Sequence, residues 1–158
     1  SYGPVYIRLC RPKIPLVYTD NYRFNLGKAV TMRQGKDATI IAIGLMVAAA
    51  LEAAESLKQE DIDCRVLNMS TIKPIDEAAI IKAAAETGAI VTAEEHLEHG
   101  GLGSIVAQVT AKHQPVPIEL VAIKNTYAKS GKASELLQRY GLTAKDIEQA
   151  VRSVLKRK

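Results

Sequence analysis

The sequence predicts a three-layer α/β/α domain built on a mostly parallel, open sheet. Short apolar runs rich in β-branched residues alternate with longer segments of helical periodicity, and turn-forming residues separate them. Strands and helices that alternate at this spacing form βαβ units with right-handed crossovers, which place helices on both faces of the sheet. A chain of 158 residues can bury one substantial core, so we expect one main domain of this class.

The start of the chain differs from this alternating pattern. Residues 5–9 carry β-branched and aromatic side chains and predict a strand. Pro12 and Pro15 then interrupt regular structure, so we expect an irregular linker over residues 11–26. Because the chain opens directly on the predicted strand, we interpret it as a fragment or subunit with a missing upstream part, although removal of an initiator Met would leave the same start.

From residue 29 onward the strands and helices alternate. Residues 38–43 form a continuous apolar run, which is typical of a strand buried on both faces. Asp76 is expected to cap one helix, and Thr143 with Asp146 forms a variant of the capping box at another. The other predicted strands cover residues 29–32, 64–67, 89–93 and 118–123, and the predicted helices cover residues 47–58, 76–86, 102–112, 133–140 and 144–156.

Composition excludes several classes of function. No apolar run is long enough to cross a membrane and no signal peptide precedes the first strand, so we expect a soluble, cytoplasmic protein. Cys10 and Cys64 lie far apart in no metal-binding pattern, which predicts two reduced thiols. We interpret the net charge of +4 as spread along the chain, and its only local concentration, at residues 156–158, is typical of a solvated helix terminus. Trp is absent and there is one Phe, so the chain offers no aromatic platform for stacking bases and we expect no nucleic-acid partner.

A charged, glycine-rich segment follows the buried strand at residues 89–93. Glu94 and Glu95 stand beside His96, and two carboxylates next to an imidazole could provide or orient a proton-transfer group. Alternatively, the charged side chains cover a solvent-facing loop while the glycines permit a tight turn from strand to helix. Without further information the second interpretation is favoured.

The same segment raises two further possibilities. His96 and His99 stand three residues apart among carboxylates, but the spacing fits no metal template, so we expect no metal site. Gly100, Gly101 and Gly103 precede a predicted helix, whose free N–H groups could hold an anion; their pattern is weaker than the dinucleotide fingerprint and favours a structural role.

Two arginines flank the end of the first predicted strand. Arg8 and Arg11 stand where irregular backbone begins, and a guanidinium there could bind a phosphate or carboxylate in a bidentate manner. A surface arginine paired with a neighbouring acid is the equally favoured alternative.

Several segments together resemble transketolase. They occur in the order found in that family and span nearly the whole chain, and the set is far more specific than any single glycine motif. They are residues 6–12 (YIRLCRP), 71–76 (TIKPID), 91–96 (VTAEEH) with 100–103 (GGLG), 130–137 (SGKASELL) and 140–143 (YGLT).

The resemblance implies a division of labour between domains. Residues 1–20 would be the tail end of the pyrimidine-binding domain with its linker, and residues 21–158 the transketolase C-terminal α/β domain. The complete enzyme would bind thiamine diphosphate and Mg²⁺ or Ca²⁺ in its N-terminal cofactor-binding portion, across a homodimer interface. This chain carries no counterpart of the cofactor-activating glutamate or the metal motif, so it is expected to bind neither and to be inactive alone.

The implied reaction is two-carbon ketol transfer between sugar phosphates, as in the pentose phosphate pathway. By resemblance, Arg11 would help to bind the substrate phosphate. The resemblance assigns no catalytic step to Glu94, Glu95 and His96. Two alternatives stay open: the C-terminal part of a 2-oxo-acid dehydrogenase β subunit that docks a partner, and a non-catalytic ligand-binding or regulatory module that uses the glycine-loop crevice.

Overall fold

The structure is a computed structural model that describes residues 3–10 and 12–158. The described residues form one five-stranded sheet and five helices. The strands are β1 (Val30–Arg33), β2 (Ala38–Ala42), β3 (Cys64–Asn68), β4 (Ile90–Leu97) and β5 (Ile118–Ile123). The helices are α1 (Met46–Lys58), α2 (Glu77–Thr87), α3 (Leu102–His113), α4 (Ala133–Arg139) and α5 (Ala144–Leu155).

The sheet has the strand order β1-β3-β2-β4-β5. Strands β2 to β5 run parallel to one another, whereas β1 pairs antiparallel with β3 at one edge. Each parallel strand is connected to the next by a helix, as βαβ units require. The α/β class and the mostly parallel sheet predicted from the sequence are therefore confirmed.

Helices cover both faces of the sheet and complete the three layers. Helices α1 and α5 pack on one face around a cluster that includes Ile40, Leu57 and Ile147, and α2 and α3 pack on the other around Ile41 and Leu102. All five residues of β2 are buried, because consecutive side chains of a central strand point into opposite layers. The continuous apolar run in the sequence reflects this burial.

The strand predicted at residues 5–9 is wrong. These residues form no strand, and the edge strands β1 and β5 do not pair with them. Tyr6 and Leu9 are 87% and 85% exposed. A β-rich composition specifies a strand only when a neighbouring strand and a core face are available, and the described residues offer neither here. The irregular linker is confirmed over residues 12–26, which contain no helix or strand.

The predicted helix caps are confirmed. The Asp76 carboxylate accepts a hydrogen bond from the backbone N–H of Ala79 at 3.2 Å. Thr143 and Asp146 form the reciprocal capping box at the start of α5, whose buried face carries Ile147, Val151 and Val154. The cap thereby fixes where this core-facing helix begins.

None of the helices within residues 3–10 and 12–158 combines the length and the apolar character that a membrane crossing requires.

The capping box leads to a stability prediction. Thr143→Ala removes the hydroxyl that receives the Asp146 N–H, so we expect the free energy of unfolding to fall by about 1 kcal/mol. Thr126→Ala, at an exposed loop position, is the matched control and should change it by less than about 0.5 kcal/mol. Urea unfolding measures the free energy of unfolding of both variants. Equal decreases in the two variants would show that the capping box does not stabilise α5.

Candidate functional site

The candidate site lies where β4 leaves the sheet and α3 begins. Residues of β4 are buried from Ile90 as far as Glu94 and become exposed at His96. Because side chains alternate along a strand, Glu94 points to the same face as Ile90 and Thr92, which is the face covered by α2 and α3. A carboxylate is therefore carried into the interior, where Glu94 is only 2% exposed.

Glu94 is held by the first turn of α3. Its Oε2 atom accepts a hydrogen bond from the N–H of Leu102, and its Oε1 atom accepts one from the N–H of Gly103, both at 2.8 Å. The N-cap residue Gly101 has no side chain to cap the helix, so Glu94, eight residues before Leu102, does so. The negative charge lies at the positive end of the helix dipole, where it is stabilised.

Two glycines allow the carboxylate to come this close. A Cβ atom at Gly101 would overlap Glu94 Oε2, and a Cβ atom at Gly103 would lie 2.6 Å from Leu120 Cδ2 and 2.9 Å from Thr92 Oγ1. Neither position can accept a side chain without movement of its neighbours. The two glycines therefore serve close packing between strand and helix.

The remainder of the turn is closed by its own hydrogen bonds. Gly100, which has a φ of +83°, donates its N–H to Ser104 Oγ, and that hydroxyl donates to the carbonyl oxygen of Glu98, both at 2.9 Å. Glu98 Oε1 in turn accepts a hydrogen bond from the N–H of Asn125 at 3.3 Å. The turn is thus tied both to α3 and to the end of β5.

The charged side chains of the segment take different surroundings. Arg8 donates to the carbonyl oxygen of Glu95 at 3.0 Å and its guanidinium lies 3.6 Å from the Glu95 carboxylate. Nδ1 of His96 lies 3.0 Å from the carbonyl oxygen of Leu97, and none of the hydrogen bonds of the described residues joins His96 to Glu94 or Glu95. The structure brings Glu94 together with Gly101 and Gly103, and Glu95 together with Arg8.

Arg11, the residue proposed by resemblance to bind phosphate, lies outside the described residues. Its neighbours Cys10 and Pro12 are both exposed. For Arg8, the structure shows the second alternative that the sequence left open, namely an exposed arginine paired with a neighbouring acid.

The sequence pattern did not reveal that the N-terminal segment contacts the carboxyl ends of the parallel strands β3 and β4. Besides the contact of Arg8 with Glu95 near the end of β4, the Tyr18 hydroxyl accepts a hydrogen bond from Nδ2 of Asn68, the last residue of β3, at 2.6 Å. Tyr18 also stacks on Tyr22 with ring centroids 3.7 Å apart, and burial raises the pKa of its phenol. In open α/β sheets this carboxyl edge is where ligands bind, and here the chain's own segment covers part of it.

The linker that precedes β1 is held by two further hydrogen bonds. The N–H of Gly27 donates to Thr71 Oγ1, and the N–H of Ala29 donates to Asp76 Oδ2, both at 3.1 Å. Asp76 therefore serves two purposes at once, since its other oxygen caps α2. The sequence pattern predicts Asp76 only as a helix cap, and the resemblance marks residues 71–76 as a motif. The two hydrogen bonds show that Thr71 and Asp76 of this motif hold the linker in place.

The described residues contain no group of three or more His, Cys, Asp and Glu side chains that could hold a metal ion. Cys10 and Cys64 are both free. Burial raises the pKa of the Cys64 thiol to about 12, so this side chain remains protonated and behaves as part of the core.

Comparison with known proteins identifies the family. The family described as transketolase, C-terminal domain, matches residues 27–147. This chain belongs to that family. The match contains the whole of the sheet together with the Glu94 turn, so the geometry above belongs to a transketolase C-terminal domain.

Two of the relatives are named as transketolase subunits. The chain is 45% identical over 156 residues to the 6-deoxy-6-sulfo-D-fructose transketolase subunit SqwH of a Clostridium species, covering 99% of this chain and 48% of that protein. It is 46% identical over 145 residues to an apulose-4-phosphate transketolase subunit from Phocaeicola vulgatus, covering 91% and 46%. The chain thus spans about half the length of these relatives.

Solved structures agree with this assignment. A split-gene transketolase described as an inactive β4 tetramer superposes with a TM-score of 0.88 at 43% identity, covering 90% of this chain and 47% of that chain. Transketolase from Leishmania mexicana superposes with a TM-score of 0.63 at 21% identity, covering 83% and 18%, which shows the shared fold alone.

Transketolases use thiamine diphosphate with a divalent metal ion. The described residues of this chain contain no cluster of metal-ligating side chains. The helix N-terminus beside the glycine turn, which would suit a diphosphate, already receives the Glu94 carboxylate.

The Glu94 contact leads to a second prediction. Glu94→Ala leaves two N–H groups without their charged acceptor, and we expect the free energy of unfolding to fall by about 2–4 kcal/mol. For Glu94→Gln we expect a free energy of unfolding between those of the unsubstituted protein and Glu94→Ala, because an amide offers only one acceptor oxygen for two donors. Thermal and urea unfolding measure both variants.

Glu95→Ala is the matched control, since its ion pair with Arg8 is largely exposed to solvent. We expect a change of less than about 1 kcal/mol. Equal decreases in the free energy of unfolding for Glu94→Ala and Glu95→Ala would contradict the structural role of the buried carboxylate.

Proposed function

We propose that this chain is the C-terminal portion of a transketolase that transfers a two-carbon ketol unit between sugar phosphates. In this proposal it acts in packing and subunit assembly, and the chemical step requires the N-terminal cofactor-binding portion, which holds thiamine diphosphate and Mg²⁺ or Ca²⁺. The relatives named above support this proposal, because they are transketolase subunits at 45–46% identity. Their similarity also favours transketolase over the 2-oxo-acid dehydrogenase alternative and over a regulatory module.

The observation that carries the proposal is the exposed apolar surface of the N-terminal segment. Large apolar side chains that stand next to one another in solvent mark an interaction surface. This segment is proposed to be the end of the preceding domain, over residues 1–20, and to pack against the rest of that domain in the assembled enzyme. The exposed side chains are Val5 (61%), Tyr6 (87%), Ile7 (72%), Leu9 (85%), Ile14 (44%) and Leu16 (97%).

The position of this segment supports the assembly role. Arg8 holds it at the end of β4, and Tyr18 holds it at the end of β3. Its apolar side chains are thereby presented beside the carboxyl edge of the sheet. A preceding domain that packs on them would stand over the edge at which α/β proteins place their ligands. In this arrangement the Arg11 side chain would come from the boundary between the two portions of the enzyme.

A reconstitution experiment tests the assembly role. The chain alone, the N-terminal cofactor-binding portion alone and an equimolar mixture are assayed for ketol transfer with sugar phosphates, thiamine diphosphate and Mg²⁺. We expect turnover only in the mixture, because the proposal assigns the cofactor to the N-terminal portion and the described residues of this chain contain no cluster of metal-ligating side chains. Circular dichroism of the isolated chain serves as the control for folding. Robust turnover by the chain alone would overturn the proposal.

A separate experiment tests the phosphate contact. We expect Arg11→Ala to raise KM for phosphorylated substrates about tenfold or more with a smaller effect on kcat, because a charged hydrogen bond to phosphate contributes about 1.5–3 kcal/mol. Lys13→Ala is the matched control, since Lys13 is an exposed cation two residues away. Unchanged kinetics in the Arg11 variant would show that Arg11 does not bind the substrate phosphate, and would not affect the proposed assembly role.

A further inference from the structure

We propose that the chain before β1 docks onto an acidic face of the N-terminal cofactor-binding portion, and that attraction between unlike charges steers the two portions together. The docking surface, called here the cationic segment, consists of residues 3–10 and 12–28. The inference rests on the assembly role proposed above. It adds the chemistry that the partner's surface must have and the force that brings the two surfaces together.

The net charge of the chain arises in its first 28 residues. Residues 1–28 contain five lysines and arginines and a single acid, Asp20, whereas residues 29–158 contain sixteen lysines and arginines and sixteen acids. The formal net charge of +4 therefore belongs to the first part, and the remainder of the chain is neutral overall. The interpretation that the charge is spread along the chain is wrong in this respect. A surface with such an excess of one sign favours a partner of the opposite sign.

The structure exposes these charges. Lys13 and Arg23 are exposed to solvent, and neither forms an ion pair within the part of the chain that the structure describes. Arg8 and Lys28 lie 3.6 and 3.9 Å from carboxylates of the α/β domain, which partly neutralise them. Asp20 is the one acid of the segment, so an excess of positive charge remains for carboxylates of another polypeptide.

Exposed apolar side chains stand next to these cations in the sequence. Ile14 follows Lys13 and Phe24 follows Arg23, and the two apolar side chains are 44% and 58% exposed. Interfaces between proteins combine an apolar centre with a polar rim. A partner face that offers apolar pockets with carboxylates at their margins therefore matches the cationic segment in both respects.

Contacts with the α/β domain hold the cationic segment before any partner binds. Arg8 is held at the end of β4, Tyr18 at the end of β3, and Gly27 by the side chain of Thr71. Val17 packs against the core cluster on the α1 face of the sheet. Because these contacts already restrict the segment, docking costs less conformational entropy than the ordering of a free tail.

This arrangement disfavours a lipid bilayer and a second copy of the segment as partners. Segments that lie in a bilayer surface are amphipathic helices with basic side chains on one face. The cationic segment contains no helix and is held against the domain at β3 and β4. Two copies of the segment would oppose surfaces of the same charge, which repel each other.

Association kinetics test the inference with the intact chain. Surface plasmon resonance measures binding of the chain to the N-terminal portion at NaCl concentrations between about 0.05 and 0.5 M. We expect the association rate constant to fall about tenfold or more across this range, because salt screens the attraction between unlike charges. The dissociation rate constant should change less, because apolar contacts are not screened.

Charge reversals locate the attraction. Lys13→Glu and Arg23→Glu should each lower the association rate constant about threefold at low salt, and the double variant about tenfold with a weaker salt dependence. Lys13→Arg and Arg23→Lys keep the charge and should leave the rate constant unchanged. Lys36→Glu is the matched control, because Lys36 is exposed and precedes β2, at the opposite edge of the sheet. It should also leave the rate constant unchanged.

The reversals should affect only how fast the two portions meet. Once the N-terminal portion is saturated with the chain, we expect KM for sugar phosphates to be the same in Lys13→Glu and in the unsubstituted chain. The Lys13→Ala control for the phosphate contact is then measured under the same saturating conditions. A raised KM in Lys13→Glu under saturation would overturn the steering role.

The outcomes separate this inference from the assembly role. Association that neither salt nor the charge reversals change would overturn the inference and leave the assembly role in place. Absence of association at every salt concentration would overturn both. Saturable binding of the chain to vesicles of phosphatidylserine and phosphatidylcholine, or to a DNA duplex, that Lys13→Glu and Arg23→Glu abolish would assign the cationic segment to another partner and also overturn the inference.

Discussion

The structure depends on one buried carboxylate. Glu94 lies in β4, is 2% exposed, and caps α3 through two hydrogen bonds of 2.8 Å. Because this contact joins the end of β4 to the start of α3, it sets the position of the helix that covers one face of the sheet. It also fills the positive end of the α3 dipole, which an external anion would otherwise find available. Gly101 and Gly103 follow from it, since any side chain there would collide with Glu94, Thr92 or Leu120.

A second set of contacts decides what lies beside this turn. Asp76 caps α2 and also receives the N–H of Ala29, so the linker before β1 is tied to a helix on the same face as α3. Tyr18 and Arg8 carry the rest of the N-terminal segment along the carboxyl edge. The edge at which many α/β proteins bind small molecules is therefore partly covered by protein, in keeping with the assembly role proposed for this member of the transketolase C-terminal domain family.

Local signals in the sequence predicted most of the fold. The apolar run of β2 and the cap residues Asp76 and Thr143 each act over a few neighbouring residues, so the pattern predicts them correctly. The strand prediction for residues 5–9 is wrong because a strand also needs a neighbouring strand to pair with, and composition does not reveal whether one is present. The sequence marks Glu94 as a candidate site residue, but its role as a helix cap depends on the distance between β4 and α3. Period-two alternation with Thr92 was the available signal, since it directs Glu94 into the interior. The roles of Tyr18 and Asp76 in holding the linker depend on contacts across about 50 residues and leave no local pattern.

The central claim is that Glu94, and no external ligand, occupies the N-terminus of α3. It is tested most directly by following the backbone amide resonances of Leu102 and Gly103 in the intact protein by NMR, during titration with inorganic phosphate and then with a sugar phosphate. Both amides should remain protected from exchange with solvent and show no saturable shift. Saturable shifts of these two resonances, accompanied by loss of their protection, would show that an external anion displaces the carboxylate and would contradict the claim.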